Sequence, residues 1–132
     1  MTVIASDTLR YSNTFKHVYD PATAYCNELI TINESTSMTL PLGTVLGKVT
    51  ATGKYKRVEA SAVDGSQTAS VVLTADTVVV ANTDKKAVAL ASGPAIVSKA
   101  GLYFGASVDT QAELDAAYAQ LAAVGIKTAN AF

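Results

Sequence analysis

The chain has 132 residues, 49% of them hydrophobic, and sets 10 Lys and Arg against 11 Asp and Glu for a formal net charge of −1. That length suits one domain with an arm at most, and the hydrophobic share excludes wholesale disorder. The near-neutral balance, spread along the chain, excludes the basic stripe that neutralises nucleic-acid phosphates.

Much of the apolar content is Ala and Val, Trp is absent and aromatics reach 7%. Each buried side chain therefore removes little area from water, so the expectation is that the chain gains stability by oligomerising or by docking on a larger surface, with a stable monomer as the alternative. The single Cys26 has no partner for an internal disulfide and suits a reducing compartment. The N-terminus lacks a basic region followed by an apolar run, so no secretory signal is expected. Apolar runs such as Val78 to Ala81 are too short to span a bilayer. A soluble protein made in the cytoplasm is expected.

In chain order, residues 1–28 are polar, contain no glycine and carry four of the nine aromatics. Tyr11, Asn13, Phe15, His17 and Tyr19 fall at every second position up to Asp20-Pro21. An extended chain would place them on one mostly aromatic face. Tyr11, Phe15 and Tyr19 also fit a helix, but Thr14 and Val18 are weak helix formers and no strong cap precedes them, so the extended form is favoured. Such a segment is an arm that adds a strand to another protein's sheet edge, a flexible leader, or an edge strand on its own domain.

Leu29 to Ile32 reads as the first strand of the compact body, followed by a polar loop, "NESTS". Pro41 and Gly43 punctuate a turn, and Thr44 to Leu46 reads as a strand. Gly47 marks a bulge or close backbone approach, and Lys48 to Thr50 continues the strand. "ATG" then turns, and Tyr55 to Val58 returns as a hairpin partner. Asp64-Gly65 is the strongest turn dipeptide. Further strands are expected at Val71 to Leu73, Thr77 to Ala81 and Ala87 to Ala91, with "NTDKK" as the polar loop before the last. Gly93-Pro94 breaks the chain before Ala95 to Val97.

One helix is expected, near 110–124. Thr110 and Glu113 have capping-box spacing, Leu114, Ala117, Tyr118, Leu121 and Val124 repeat at helical spacing, and Gly125 supplies the stop. Ile126 onward returns to the sheet. The fold class is α+β, mostly β: a small compact, sandwich-like β body with one late amphipathic helix and an extended N-terminal arm.

No set of residues supports catalysis. Gly43, Gly47 and Gly53 are not a phosphate loop, since Val49 stands where the P-loop needs Ser or Thr and no helix follows. Lys54, Tyr55, Lys56 and Arg57 can stack bases and bind phosphate, but basic residues at a hairpin also blunt an exposed edge, and Glu59 and Asp64 lie close by. The lone His17 sits in the arm, nine residues before Cys26, without a recognised metal spacing or the rigid setting that nucleophilic catalysis needs. Asp109, Glu113 and Asp115 gather at the helix start, where acids complement the helix dipole; a glycosidase pair is the competing reading.

With these strands and turns in place, "GTVLGKVTATGKY" (Gly43 to Tyr55), "DGSQTASVVL" (Asp64 to Leu73) and "ASGPAIV" (Ala91 to Val97), in that order and spacing, resemble the lambda-type head decoration proteins of tailed bacteriophages. "ELITINESTSMTLPLGTVLG" has the family's strand and polar loop leading into G-T-V-L-G. The Ala-rich helix after "GLYFGASVDTQAEL" and the closing Gly125-Ile126 resemble its longer members. The likeness runs from about Glu28 to Ile126; Tyr103-Phe104 stands where some members carry a Leu-x-Trp-Pro segment.

The resemblance implies a capsid-binding arm at 1–28 and a β-rich decoration domain at 29–132. It implies a homotrimer on the outer face of the expanded phage head, at three-fold and quasi-three-fold positions, cementing major capsid protein subunits against the pressure of packaged DNA. It further implies no catalysis, no cofactor, and no direct nucleic-acid or membrane partner. The arm would reach the capsid through Tyr11, Asn13, Phe15, His17 and Tyr19, and a chain lacking residues 1–20 would stay folded but fail to decorate heads. The competing reading is a β-rich ligand- or carbohydrate-binding module of a phage surface appendage. That module needs exposed aromatics, whereas Tyr55, Tyr103 and Tyr118 have the settings of structural or buried residues.

Overall fold

The computed structural model describes residues 15–18, 26–93, 95–104, 108 and 110–129. Five short strands close into a barrel: β2 (Asn27–Ile32), β5 (Tyr55–Arg57), β4 (Val45–Lys48), β6 (Val71–Leu73) and β8 (Lys85–Leu90), in that spatial order. The longest seam is antiparallel, from Asn27 opposite Leu90 to Ile32 opposite Lys85. Closure comes from a parallel contact of Ile32 with Tyr55. The expected sandwich-like body is therefore a barrel. Closure removes the open edges that strands this short would otherwise expose.

Alternation along the strands sorts the side chains into two cores. Leu46 opposite Val71 and Leu73 opposite Ala89 join Ile30 and Ile32 in one buried cluster. Their neighbours Val45 opposite Val72, and Val72 opposite Leu90, belong to a second cluster. Because successive side chains point to opposite faces of a strand, one cluster fills the barrel and the other lines its outer wall.

A two-stranded ribbon, β3 (Met38–Leu40) with β7 (Thr77–Val79), packs on the barrel interior through the buried Leu40 and Val79. The outer-wall cluster is covered by a sheet in the order β1 (Phe15–Val18), β9 (Ala95–Ser98), β10 (Ile126–Ala129), and by helix α1 (Gln111–Ala123). β10 runs parallel to β9, so the chain needs a crossover, and α1 supplies it.

Helix α1 begins at a full capping box. The Glu113 amide donates to Thr110 Oγ1 (3.3 Å), and the Thr110 amide donates back to Glu113 Oε1 (3.2 Å). Its buried stripe is narrow: Ala117 and Leu121 are buried, Leu114 and Tyr118 half-buried, and Val124 lies exposed just past the helix.

Two glycine sites fix how the parts meet. A Cβ on Gly47 would collide with the Ser66 carbonyl, so the expected close approach at β4 is real. Gly125 turns the chain at φ +89°, and Gly93 packs so tightly against its carbonyl that neither position has room for a Cβ without displacing backbone. There the Gly93 amide donates to the Val124 carbonyl, 3.0 Å.

Several expected boundaries move. β2 starts at Asn27, before Leu29. β4 ends at Lys48 because the chain turns at Val49 to Gly53, where the Gly53 amide donates to the Val49 carbonyl (2.8 Å). Lys85 and Lys86 belong to β8 and not to the loop before it. β3 and a 3₁₀ turn at Lys99–Gly101 were not expected at all.

Candidate functional site

Of the five residues of the alternating arm face, Tyr11, Asn13 and Tyr19 lie outside the described residues. Phe15 and His17 belong to β1, which pairs antiparallel with β9 as an edge strand of the body. The Phe15 ring is buried, 6% exposed, in the outer-wall core with Val97 and Ala95. The register slips between Phe15, opposite Val97, and His17, opposite Ile96; the His17 side chain lies outside the described residues. Phe15 is therefore an anchor of the body. A cut through residue 20 would remove β1 and this ring together, which weighs against the expectation that such a chain stays folded.

The basic hairpin is neutralised group by group. Lys54 Nζ pairs with Asp84 at 3.0 Å, and Lys56 Nζ with Glu59 at 3.2 Å and Asp64 at 3.6 Å. Arg57 Nε donates to Glu34 Oε2 at 3.3 Å. Burial alone would lower the Lys56 ammonium, but the hydrogen bonds and charges of Glu59 and Asp64 outweigh it and hold it above the usual lysine value. The Ser66 hydroxyl and amide, then Lys56, hold the Asp64 carboxyl below its usual range. Hydrogen bonds from Asn33 and Lys54 do the same for Asp84. The arrangement is a closed set of ion pairs that blunts the hairpin.

Glu34 is the polar residue that the sequence hides. It sits in the "NESTS" loop yet is 4% exposed. Besides the guanidinium it accepts from the Arg57 amide at 2.8 Å, and its own carbonyl accepts from the Asn82 amide at 2.7 Å. One residue thus ties the loop, β5 and the turn between β7 and β8. No periodic pattern announces it, because its partners are distant in sequence.

The described acids at the helix start have partners within the chain. Glu113 completes the box, and Asp115 Oδ1 accepts from Gln111 Nε2 at 2.8 Å; Asp109 lies outside the described residues. A cleft of about 250 Å³ between α1 and the barrel is lined by Val58, Val108, Ala117, Gln67 and Gln120 among others. Both glutamines hold backbone, Gln120 taking the Ala69 amide at 2.8 Å and Gln67 the Gly65 amide at 2.9 Å. Among the described residues no group of three or more His, Cys, Asp or Glu is placed to hold a metal ion.

The three tyrosines of the body differ. Tyr55 is half-buried against the barrel core, and burial, then Glu28, pushes its phenol up. Tyr118 packs edge-on to Phe104 at 6.2 Å with Lys99 Nζ 4.8 Å from its ring centre; burial, then Asp115, raises its phenol. Tyr103 is 38% exposed, more open than its sequence setting implied. Its backbone is fixed on the barrel, donating to the Gly43 carbonyl and accepting from the Val45 amide, both at 2.9 Å.

A glycine-punctuated barrel, a covering sheet with an N-terminal edge strand, and a late capped helix make a body whose polar groups serve its own architecture. The family model described as bacteriophage lambda head decoration protein D matches residues 16–126 of this chain. The chain belongs to that family. Its role is accordingly the decoration of a phage capsid. The match starts at Lys16, so it takes in most of β1 and reaches well before Glu28, where the resemblance in the sequence began; it ends at the expected Ile126. Among the curated proteins none matches the chain.

Proposed function

We propose that this head decoration protein binds the outer surface of the expanded phage head as a homotrimer at three-fold positions, cementing neighbouring major capsid subunits against internal DNA pressure. It works without catalysis or cofactor, and touches neither nucleic acid nor membrane. The observation that carries this reading is the family match over residues 16–126. The chemistry of the hairpin and the helix start agrees with it: Lys54, Lys56 and Arg57 meet carboxylates within the chain and Glu113 caps the helix.

The mechanism is linkage. A clamp that binds only the assembled, expanded lattice stabilises it by its binding free energy, about 2.7 kcal/mol per site at a hundredfold excess over the dissociation constant. Three arms on one trimer bind multivalently, so modest contacts give slow release. Phe15 anchors each arm in the body, and Tyr11, Asn13, His17 and Tyr19 supply the contacts to the capsid. After synthesis in the host cytoplasm the protein resides on the virion exterior.

A chain lacking residues 1–13 keeps β1 and Phe15. It is expected to melt like the full chain, keep a trimer's mass, and lose binding to undecorated expanded heads in cosedimentation. Undiminished head binding by this truncation would remove the arm from the mechanism. A glycan-binding module is the second reading, favoured only by the exposure of Tyr103; glycan-array binding without head binding would select it.

A further inference from the structure

The β3–β7 ribbon, taken as residues 35–42 and 77–83, contains no Lys, Arg, Asp or Glu. Its inner face is committed to the barrel: Leu40 opposite Thr77 and Met38 opposite Val79 bring Leu40 and Val79 to near-complete burial. Its outer face carries Val78, 64% exposed, opposite Thr39, and just past the end of β7 Val80, 57% exposed, whose carbonyl accepts from the Thr83 amide at 3.1 Å. A sheet of two strands leaves each with one edge unpaired within the sheet.

Proteins guard such edges with charge, proline or bulges, because bare edges recruit further strands. The other described edge strands are guarded. β1 carries a register slip, β3 runs into Pro41, and β10 displays the exposed Lys127. β7 has none of these: Asp76 stands just before it, but its carboxylate is taken up by the Leu42 amide at 2.7 Å. The run Thr77-Val78-Val79-Val80-Ala81 is strand-prone and free of charge, and it presents two β-branched side chains to solvent beside that edge.

We infer that β7 is a docking edge for an extended, uncharged segment of the capsid shell subunit, which joins the ribbon as a third strand alongside Val78 and Val80. Main-chain hydrogen bonds give such a contact its affinity, and alternate side chains give its register. The lack of charge on residues 35–42 and 77–83 matches a strand that brings none, since a buried unpaired charge is costly. A second copy of this chain fits less well. Antiparallel pairing of β7 with itself has two-fold symmetry and makes dimers, whereas a trimer needs a heterologous contact. The inference rests on the head-binding reading and adds a second attachment point, separate from the arm.

The test uses the full chain with undecorated expanded heads. Val78→Lys places a guard on an exposed position, so folding is expected to be unchanged by thermal melt and by solution mass. Its affinity for heads is expected to fall by at least about tenfold, because the charge must be desolvated at the docked edge. Val78→Thr, uncharged and β-branched, is expected to bind like the parent. In the unaltered protein, amides of residues 77–80 are expected to exchange at least about tenfold more slowly on heads than free.

Parent-like head binding by Val78→Lys, or unchanged amide exchange on heads, overturns the inference while leaving decoration intact. A drop in solution mass for Val78→Lys assigns the edge to a second copy and also overturns it. Failure of the parent chain to bind heads overturns the head-binding reading itself, and this inference with it.

Discussion

The hairpin β4–β5 and the ribbon β3–β7 are both short antiparallel pairs, one closed by a turn and the other joining strands far apart in the chain, yet they manage their surfaces in opposite ways. The hairpin end concentrates Lys54, Lys56 and Arg57 and pairs each with a carboxylate of this same chain. The ribbon has no charges and leaves Val78 and Val80 in solvent. A region rich in charge thus makes little electrostatic demand on a partner, while the plainest stretch of sequence leaves apolar surface and a strand edge open. For a protein whose role is to decorate a shell, the uncharged region is the more informative one.

Glu34 is the hinge of that contrast, since its carboxylate holds Arg57 on the hairpin and its carbonyl holds Asn82 next to the ribbon. The largest effect lies outside both regions and calibrates them. Phe15→Ala empties a core site and is expected to cost about 3–5 kcal/mol in denaturant unfolding. A cost below that of a surface substitution would mean β1 is not part of the folded body.

Next in size, Glu34→Ala leaves the Arg57 amide and guanidinium without their acceptor. It is expected to cost about 1–3 kcal/mol, with faster amide exchange at both Arg57 and Asn82. If only the hairpin loosens, Glu34 does not couple the two regions.

Smallest are the exposed ion pairs. Lys54→Ala is expected to change stability by no more than about 1 kcal/mol and to leave head binding unaltered. Acid should act in the same sense: Asp64 and Asp84 are held below their ordinary value of 3.8. Their contribution is present above that value, where the unfolded carboxylates are also charged, and is lost as pH falls through the lower folded values. Melting temperature should therefore fall slightly below about pH 4, and less so in Lys54→Ala, which removes one of the groups that lower Asp84.

Much of the barrel was legible because its signals are local. Leu29 to Ile32, the Gly-punctuated hairpin, Val71 to Leu73 and the Thr110–Glu113 box each carry their own pattern within a few residues. The helix stop at Gly125 and the return at Ile126 followed from the same local rules. What escaped depends on distant partners. Met38–Leu40 is too short to show a period, and it is a strand only because Thr77–Val79 pairs with it. The parallel contact of Ile32 with Tyr55 closes the barrel, yet nothing near either residue announces it.

The candidate site divides along the same line. The alternation of Tyr11 to Tyr19 suggested one exposed face. Burial of Phe15 against Val97 and Ala95 could not be read from that spacing, because those residues lie some eighty positions away. The edge at β7 was visible in composition, as an uncharged run of valines, but its exposure comes from the ribbon's packing.

The most direct measurement is electron microscopy of undecorated expanded heads mixed with the purified protein. The account predicts three copies around each three-fold and quasi-three-fold position on the outer surface, with the segment before Phe15 in contact with the shell. Heads that stay bare at saturating protein, and melt at the same temperature with and without it, would contradict it.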